Sequence, residues 1–232
     1  METIDTIMSR KATRAYLDKD IDDSIITELI ETAAFSPSYG STQPWKVYVA
    51  KGEKLDKLRS IWKERMSNAS NLTLSNLNQG VKPDVPGPDK ESLKHLPEFS
   101  ENTDAWLKHR LKDTGLTEKE HGEILGKGAT SFYGAPVCVF LGVSKYSSKY
   151  SYYDLGAFSQ TMMLAAKDKG INSLPAFTNV MYGDVLHKEL GIPADINVLI
   201  GICLGYEDKE SIMNKPRSEH LPIDEYLKIV SE

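Results

Sequence analysis

The 232-residue chain has only two cysteines, Cys138 in "PVCVFLGV" and Cys203 in "VLIGICLGY". Two such residues give neither a disulfide framework nor a zinc pattern. Each sits in an apolar run that reads as a buried strand, so both thiols are expected to be inert core residues in a reducing cytoplasm. No apolar run approaches the roughly 18 residues of a membrane-spanning helix. The N-terminus "METIDTIMSRKATRAYL" lacks the apolar centre of a secretion signal. Positive charge is in deficit, with 28 Lys and Arg against 33 Asp and Glu and a net charge of −5. A general nucleic-acid binder needs a basic face, so that class is not expected. The five histidines, His95, His109, His121, His187 and His220, show no metal spacing. There is no GxGxxG and no GxxxxGK, which argues against a Rossmann or P-loop nucleotide unit. No Ser, His and Asp set stands out, so neither hydrolytic nor metal catalysis has support.

What is present is an ordinary folding composition, 40% hydrophobic and 26% charged, at a length that suits one domain. "DKDIDDSIITELIETAAFS" predicts a helix with Asp20 or Asp22 as N-cap, an apolar face of Ile26, Leu29, Ile30, Ala33 and Ala34, and a stop at Pro37. "KVYVA" predicts a strand and "GEKLDKLRSIWKERM" another helix. From about Ser67 the chain turns polar and rich in Asn, Ser, Pro and Gly, which predicts a long excursion reaching to about Lys127. Helical spacing resumes within it at "DAWLKHRLKDTGLTEKEHGEILGKG", with a break at "DTG". The core then returns as strand "PVCVFLGV", helix "DLGAFSQTMMLAAKDKG", strand "INSLPAFT", helix "DVLHKELG" and strand "INVLIGICLGY". Gly170 and Gly191 are suited to end the helices before them. The strands around the two cysteines are apolar throughout, so helices are expected on both faces of the sheet. The tail "NKPRSEHLPIDEYLKIV" is regular and apolar enough to dock on a surface.

Four stretches can carry chemistry. In "SRKATRAY", Arg10 and Arg14 are four apart and would share a face on a helix or tight turn. Two guanidiniums without an obvious carboxylate suit a phosphate, although the spacing equally describes solvated surface arginines. "SPSYGSTQPW" offers donors and acceptors from Ser38, Ser41, Thr42 and Gln43, with Gly40 permitting close approach. It equally describes a polar helix-to-strand connection. "NKPRSEHL" supplies Lys215 and Arg217, which join the N-terminal pair only if the chain folds back. In "SLPAFTNV", the break at Pro175 either turns backbone N–H groups toward a ligand or simply closes a loop.

In order and spacing, "SRKATRAY", "SPSYGSTQPW", "DLGAFSQTMMLAAKDKGINS", "ELGIP" and "NKPR" resemble the FMN-dependent nitroreductase family. The excursion and the ending "NKPRSEHLPIDE" are most similar to its nitrobenzoate-reductase-like branch. The resemblance implies an α+β fold, with a central, mostly antiparallel sheet flanked by helices in a single domain spanning 1–232. It implies a homodimer in which each C-terminal strand is exchanged onto the partner's sheet. It also implies an FMN at each dimer interface, NADH or NADPH as electron donor, and ping-pong hydride transfer to nitroaromatic or quinone acceptors. No catalytic side chain is implied, since the chemistry resides on the flavin. Carried over by position, Arg10 and Arg14 would hold the phosphate and ribityl chain, with Lys11 and Ala12 beside them. Arg217 and Lys215 would complete the phosphate site. Pro37, Ser38, Tyr39, Ser41 and Gln43 would line the flavin of the partner subunit. Pro175, Ala176, Phe177 and Thr178 would lie against the isoalloxazine.

Two departures stand out. The family's loop usually carries Asn where this chain has Ser41. It also often carries an Asn and a cation three apart before the strand matching "APVCVF", at the flavin's pyrimidine edge. Here those positions fall near Gly128, Ala129 and Ser131, and Lys127 or Arg110 are the nearby cations available to stand in. The excursion is expected to cover the open flavin face, with Trp106, Phe132 and Tyr133 as candidates for stacking on an aromatic substrate. For Phe132 and Tyr133, core packing is the simpler expectation.

Overall fold

The computed structural model describes residues 2–66, 81–87 and 90–231. Its one sheet among these residues is fully antiparallel, in the order β1 (Lys46–Lys51), β2 (Val137–Ser144), β4 (Ile196–Gly205), β3 (Asn172–Ala176). The helices are α1 (Thr3–Ser9), α2 (Asp23–Ala33), α3 (Gly52–Met66), α4 (Lys90–Lys94), α5 (Pro97–Thr114), α6 (Glu118–Thr130), α7 (Lys149–Asp168) and α8 (Gly183–Leu190). The architecture is α+β, as expected.

Alternation along the two central strands builds two cores. Cys138, Phe140 and Cys203 face a cluster with Leu55, Leu58 and Trp62 of α3 and Val185 and Leu186 of α8. Val139, Leu141 and Ile202 face the opposite cluster, with Leu29 of α2 and Leu155, Phe158 and Met162 of α7. Both faces are therefore covered. Each fully buried aliphatic or aromatic side chain contributes roughly 1.5–3 kcal/mol, so the two-sided burial of β2 and β4 is a dominant source of stability. Cys138 and Cys203 lie directly opposite each other in the β2–β4 register. Both are fully buried, and burial pushes the Cys138 thiol well up, which agrees with an inert role.

Local signals explain the boundaries. Gly115, at φ 68°, closes α5, so the "DTG" break falls where expected. Thr117 then opens α6 with a capping box to Glu120. Asp22 occupies the N-cap of α2, but its side chain makes no capping bond. Asp20 instead accepts from the Ile21 N–H (2.8 Å), and Lys51 ties Asp20 to Asp23.

The early part of the expected excursion, 67–80, lies outside the described residues. The described residues that follow, 81–87, are fastened to the core. Asp84 Oδ2 accepts from the Val198 N–H (2.8 Å) and from His187 Nε2 (2.9 Å). Lys82 N–H donates to the Met181 carbonyl (2.9 Å), and Gly183 N–H donates to the Lys82 carbonyl (3.1 Å). A Cβ at Gly183 would collide with the Asp84 carboxylate, so the close approach requires glycine there. The tail is different. Leu221, Ile223, Tyr226, Leu227, Ile229 and Val230 are all exposed, and beyond one turn at Ile223–Glu225 the tail has no regular structure of its own.

Candidate functional site

The site begins where α1 ends. Arg10 already has extended dihedrals (φ −62°, ψ 134°), Ala12 bridges Ser173 on the edge of β3, and Tyr16 bridges Glu207. Arg10 and Arg14 are thus on extended chain, not on the helix or tight turn expected. Four residues of strand-like backbone span roughly 13 Å, so the two arginines serve different ends of a site.

The C-terminal turn folds back onto this segment. Asn214, 2% exposed, accepts from the Arg14 backbone N–H at Oδ1 (2.6 Å). Its Nδ2 donates to the carbonyls of Ala15 (2.8 Å) and Asp208 (2.9 Å). The Lys11 ammonium donates to the Asn214 carbonyl (2.5 Å) and pairs with Glu207 (2.7 Å). The Lys11 charge is therefore neutralised within the protein, which leaves its backbone for any ligand. Asn214 lies within "NKPR", but its clamping role is not legible there, because its partners at Lys11, Arg14 and Ala15 are some 200 residues away in the sequence.

The fold-back brings cations together. The Asn214 contacts join the two basic ends of the sequence, and burial and the charge of Arg217 push the Arg10 guanidinium below its ordinary pKa. Lys215, two residues from Arg217, is exposed. Arg14 and Arg110 both lie over the Trp106 ring, at 5.7 and 5.3 Å from its centroid. Burial lowers Arg14. Burial and then the charge of Arg14 lower Arg110 to about 10. Among the described residues, no carboxylate forms an ion pair with Arg10, Arg14, Arg110 or Arg217. His121, the ring that receives Arg110, was not singled out by its sequence context.

The stretch from Ser36 to Trp45 is a wall built on α7. Ser36 Oγ donates to Thr161 (2.8 Å), Tyr39 N–H donates to Asp154 (3.1 Å), and the Tyr39 ring stacks on Tyr150 at 5.1 Å. Gln43 N–H donates to Ser38 Oγ (3.0 Å). Gly40, Ser41 and Gln43 all have positive φ, at 58°, 57° and 46°. Two non-glycine residues in the left-handed region store strain, which is common in binding loops. Pro37, Tyr39, Ser41 and Gln43 point outward, and Ser38 is half-buried. The loop's hydrogen bonds run to itself or to α7, and none joins it to the arginines of its own chain among the described residues.

Pro175 is exposed on the edge strand β3, where a missing N–H is tolerated. Ala176 is buried, and Phe177 packs toward the core, so this turn offers its backbone rather than its side chains. Two side chains hold the turn. Trp62 Nε1 donates to the Thr178 carbonyl (2.8 Å), and Asn179 Nδ2 donates to the Gly201 carbonyl (3.3 Å). Phe132 is a core residue, fully buried against Trp62 and Phe140, so its candidacy for substrate stacking falls. Tyr133 packs on Gly128, where a Cβ would meet its ring at 2.8 Å. Phe132 and Tyr133 both have positive φ. Arg59 braces that turn by donating to the carbonyls of Ser131 (3.0 Å) and Ala135 (2.5 Å). Beside Trp106 runs an open groove of about 450 Å³, lined also by Leu96, Phe99 and Thr103.

Known proteins share this fold. The chain is 27% identical over 221 residues to a 4-nitrobenzoate reductase of Pseudomonas putida, covering 91% of this chain and 88% of the relative. Its fold superposes on the crystal structure of the FMN- and NADPH-dependent nitroreductase NfnB from Sphigopyxis sp. strain HMH, with a TM-score of 0.87, 22% identity and full coverage of both chains. It also superposes on the FMN-dependent nitroreductase NfnB from Mycobacterium smegmatis in complex with NADPH, with a TM-score of 0.78, 24% identity, and 98% and 97% coverage. The Nitroreductase family model matches residues 7–206, and the chain belongs to the nitroreductase family.

Proposed function

We infer that the protein is an FMN-dependent NAD(P)H oxidoreductase that reduces nitroaromatic acceptors and works as a homodimer. The observation that carries this reading is the fold-back of the C-terminal turn onto the N-terminal segment through Asn214, which brings the charge of Arg217 to bear on Arg10 with no carboxylate ion-paired to either among the described residues. Uncompensated guanidiniums suit a phosphate. Thr13, whose N–H donates to the Ser173 carbonyl (3.0 Å), and Ser173 on β3 each bury a hydroxyl with no hydrogen-bond partner among the described residues. Such orphans, beside unpaired cations, fit a polyol phosphate such as that of FMN.

FMN, when bound, supplies hydride acceptance and donation at N5. In this reading Arg10 and Arg217 grip its phosphate, with Lys215 at the rim, and Arg14 holds the ribityl side. The Ala176–Thr178 backbone lies against the ring, and the loop from Pro37 to Gln43 closes it from the partner subunit. NAD(P)H and the acceptor use the same open face in turn, which gives ping-pong kinetics, and quinones are alternative acceptors. The described part of the excursion shapes that face, with Trp106 and its groove as the aromatic wall. The single domain spans the whole chain. A reducing cytoplasm suits the two buried free thiols.

The test is NADH and NADPH oxidation by purified protein, with and without a nitroaromatic acceptor. Acceptor-dependent oxidation is expected. Bound FMN without turnover would instead make the protein a flavin carrier. Arg14→Ala is expected to weaken FMN retention, because a charge-assisted hydrogen bond contributes roughly 1.5–3 kcal/mol. Equilibrium dialysis of FMN measures it, and unchanged affinity contradicts the assignment.

A further inference from the structure

Asp154 is a carboxylate only 3% exposed, and it has no ion pair among the described residues. Its one polar partner there is the Tyr39 backbone N–H, 3.1 Å from Oδ2. A buried charge held by a single neutral donor costs the fold stability, so its setting calls for a reason other than folding. The reason lies in what it touches. On α7, Tyr150, Asp154, Phe158 and Thr161 follow one another at helical spacing and share one face. This stripe holds the loop from Ser36 to Trp45 at both ends. The Tyr39 ring stacks on Tyr150 (5.1 Å), the Tyr39 N–H meets Asp154, and Ser36 Oγ donates to Thr161 (2.8 Å). Trp45 packs on Phe158, with ring centroids 4.9 Å apart. Between Tyr39 and Trp45 lie Gly40, Ser41 and Gln43, all at positive φ. The hydrogen bonds of that run stay inside the loop. Ser41 N–H donates to the Ser38 carbonyl (2.9 Å), Thr42 N–H to the Tyr39 carbonyl (3.2 Å), and Gln43 N–H to Ser38 Oγ (3.0 Å). Strained backbone persists only where its surroundings over-determine it. The Asp154 bond is the charged tether at the entry to the strained run, and Phe158 holds its exit.

We propose that Asp154 is a positioning residue that holds the Ser38–Gln43 run in its strained shape for FMN binding, at a cost to the stability of the fold. This rests on the FMN reading above, in which that run closes over the flavin. Asp154 is too buried to meet a ligand, so it acts through the Tyr39 backbone. A carboxylate suits the task better than a neutral acceptor, because a hydrogen bond to an ionised group is about twice as strong. A loop already in its bound shape has no ordering cost left when the cofactor arrives. Without the carboxylate the strained run relaxes, and binding must order it again. Tyr39 is exposed, so water replaces the lost acceptor and the fold itself loses nothing.

The test sets two measurements against each other in wild type, Asp154→Leu and Asp154→Asn. One is FMN affinity by equilibrium dialysis, and the other is the thermal midpoint of the flavin-free protein. The Leu variant removes the buried charge and its hydrogen bond. Its midpoint is expected to equal or exceed that of wild type, while its FMN affinity falls about tenfold. The Asn variant keeps an acceptor oxygen and is expected to stay within about threefold of wild type in affinity. A residue that served only the fold would lower the midpoint. A Leu variant with a lowered midpoint, or one that does not fold, therefore overturns the proposal. A Leu variant that binds FMN as tightly as wild type also overturns it. So does an Asn variant as weak as Leu, because the hydrogen bond to Tyr39 would then not carry the effect. Wild-type protein that takes up no FMN overturns the cofactor reading itself, and its lack of colour distinguishes that result from the others.

Discussion

Ser41 sits at φ 57°, a region that glycine and asparagine enter more readily than serine does. The Asn that the family usually carries there is therefore as much a backbone choice as a ligand contact. Ser41→Asn or Ser41→Gly is expected to stabilise the fold by up to about 1 kcal/mol, seen as a raised thermal midpoint, and a lowered midpoint contradicts the strain argument. Asn214 is the opposite kind of residue, a buried amide with two hydrogen bonds joining the two ends of the chain and a third to the Asp208 carbonyl. Asn214→Leu strands those partners, at roughly 1–3 kcal/mol for an unsatisfied buried group. Chemical denaturation is expected to show that loss, accompanied by weaker FMN retention. The basic residues of "SRKATRAY" and "NKPR" were legible from composition. The amide that aligns them was not, because its worth depends on partners brought near only by the completed sheet.

At the scale of elements, periodicity recovered the helices and strands well, since α2, α3, α7 and the central strands have clear apolar patterns. It misplaced the backbone between Arg10 and Arg14 for a definite reason. Residues four apart return to the same side on both a helix and a strand, so spacing alone cannot choose between them. The fastening of the excursion to the core at Asp84 was also illegible, because Asp84 and His187 are separated by 103 positions. His187 engages the Ile192 carbonyl at Nδ1 (3.0 Å) and Asp84 at Nε2, an arrangement that suits the imidazolium. Burial alone lowers its pKa, but these hydrogen bonds and the charge of Asp84 outweigh that and raise it. A histidine raised on folding contributes stability that is complete below its unfolded value, about 6.5. The contribution is lost as pH climbs through the raised value. Hydrogen exchange at Lys82 and Val198 is expected to show weaker protection at pH 8 than at pH 6, after correction for intrinsic rates. His187→Gln is expected to remove that difference. A wild-type protein with pH-independent protection contradicts the latch.

At the scale of the molecule, the described residues form a two-sided core yet leave the large apolar side chains of the tail, from Leu221 to Val230, exposed. Six exposed large apolar side chains within ten residues mark an interaction surface, and the strained loop on α7 faces outward in the same way. Both features fit a dimer in which each subunit completes the other's site. Truncation after His220 is expected to leave the core folded while abolishing the dimer and reducing FMN retention. Light scattering with flavin quantitation reads both effects, and a truncated chain that stays dimeric and yellow contradicts the exchanged tail. The most direct measurement is the visible spectrum and the released flavin of the purified full-length protein. The predicted result is a yellow protein that releases FMN stoichiometric with the chain on denaturation and is bleached by NADH or NADPH. A colourless protein that cannot be reconstituted with FMN would contradict the account.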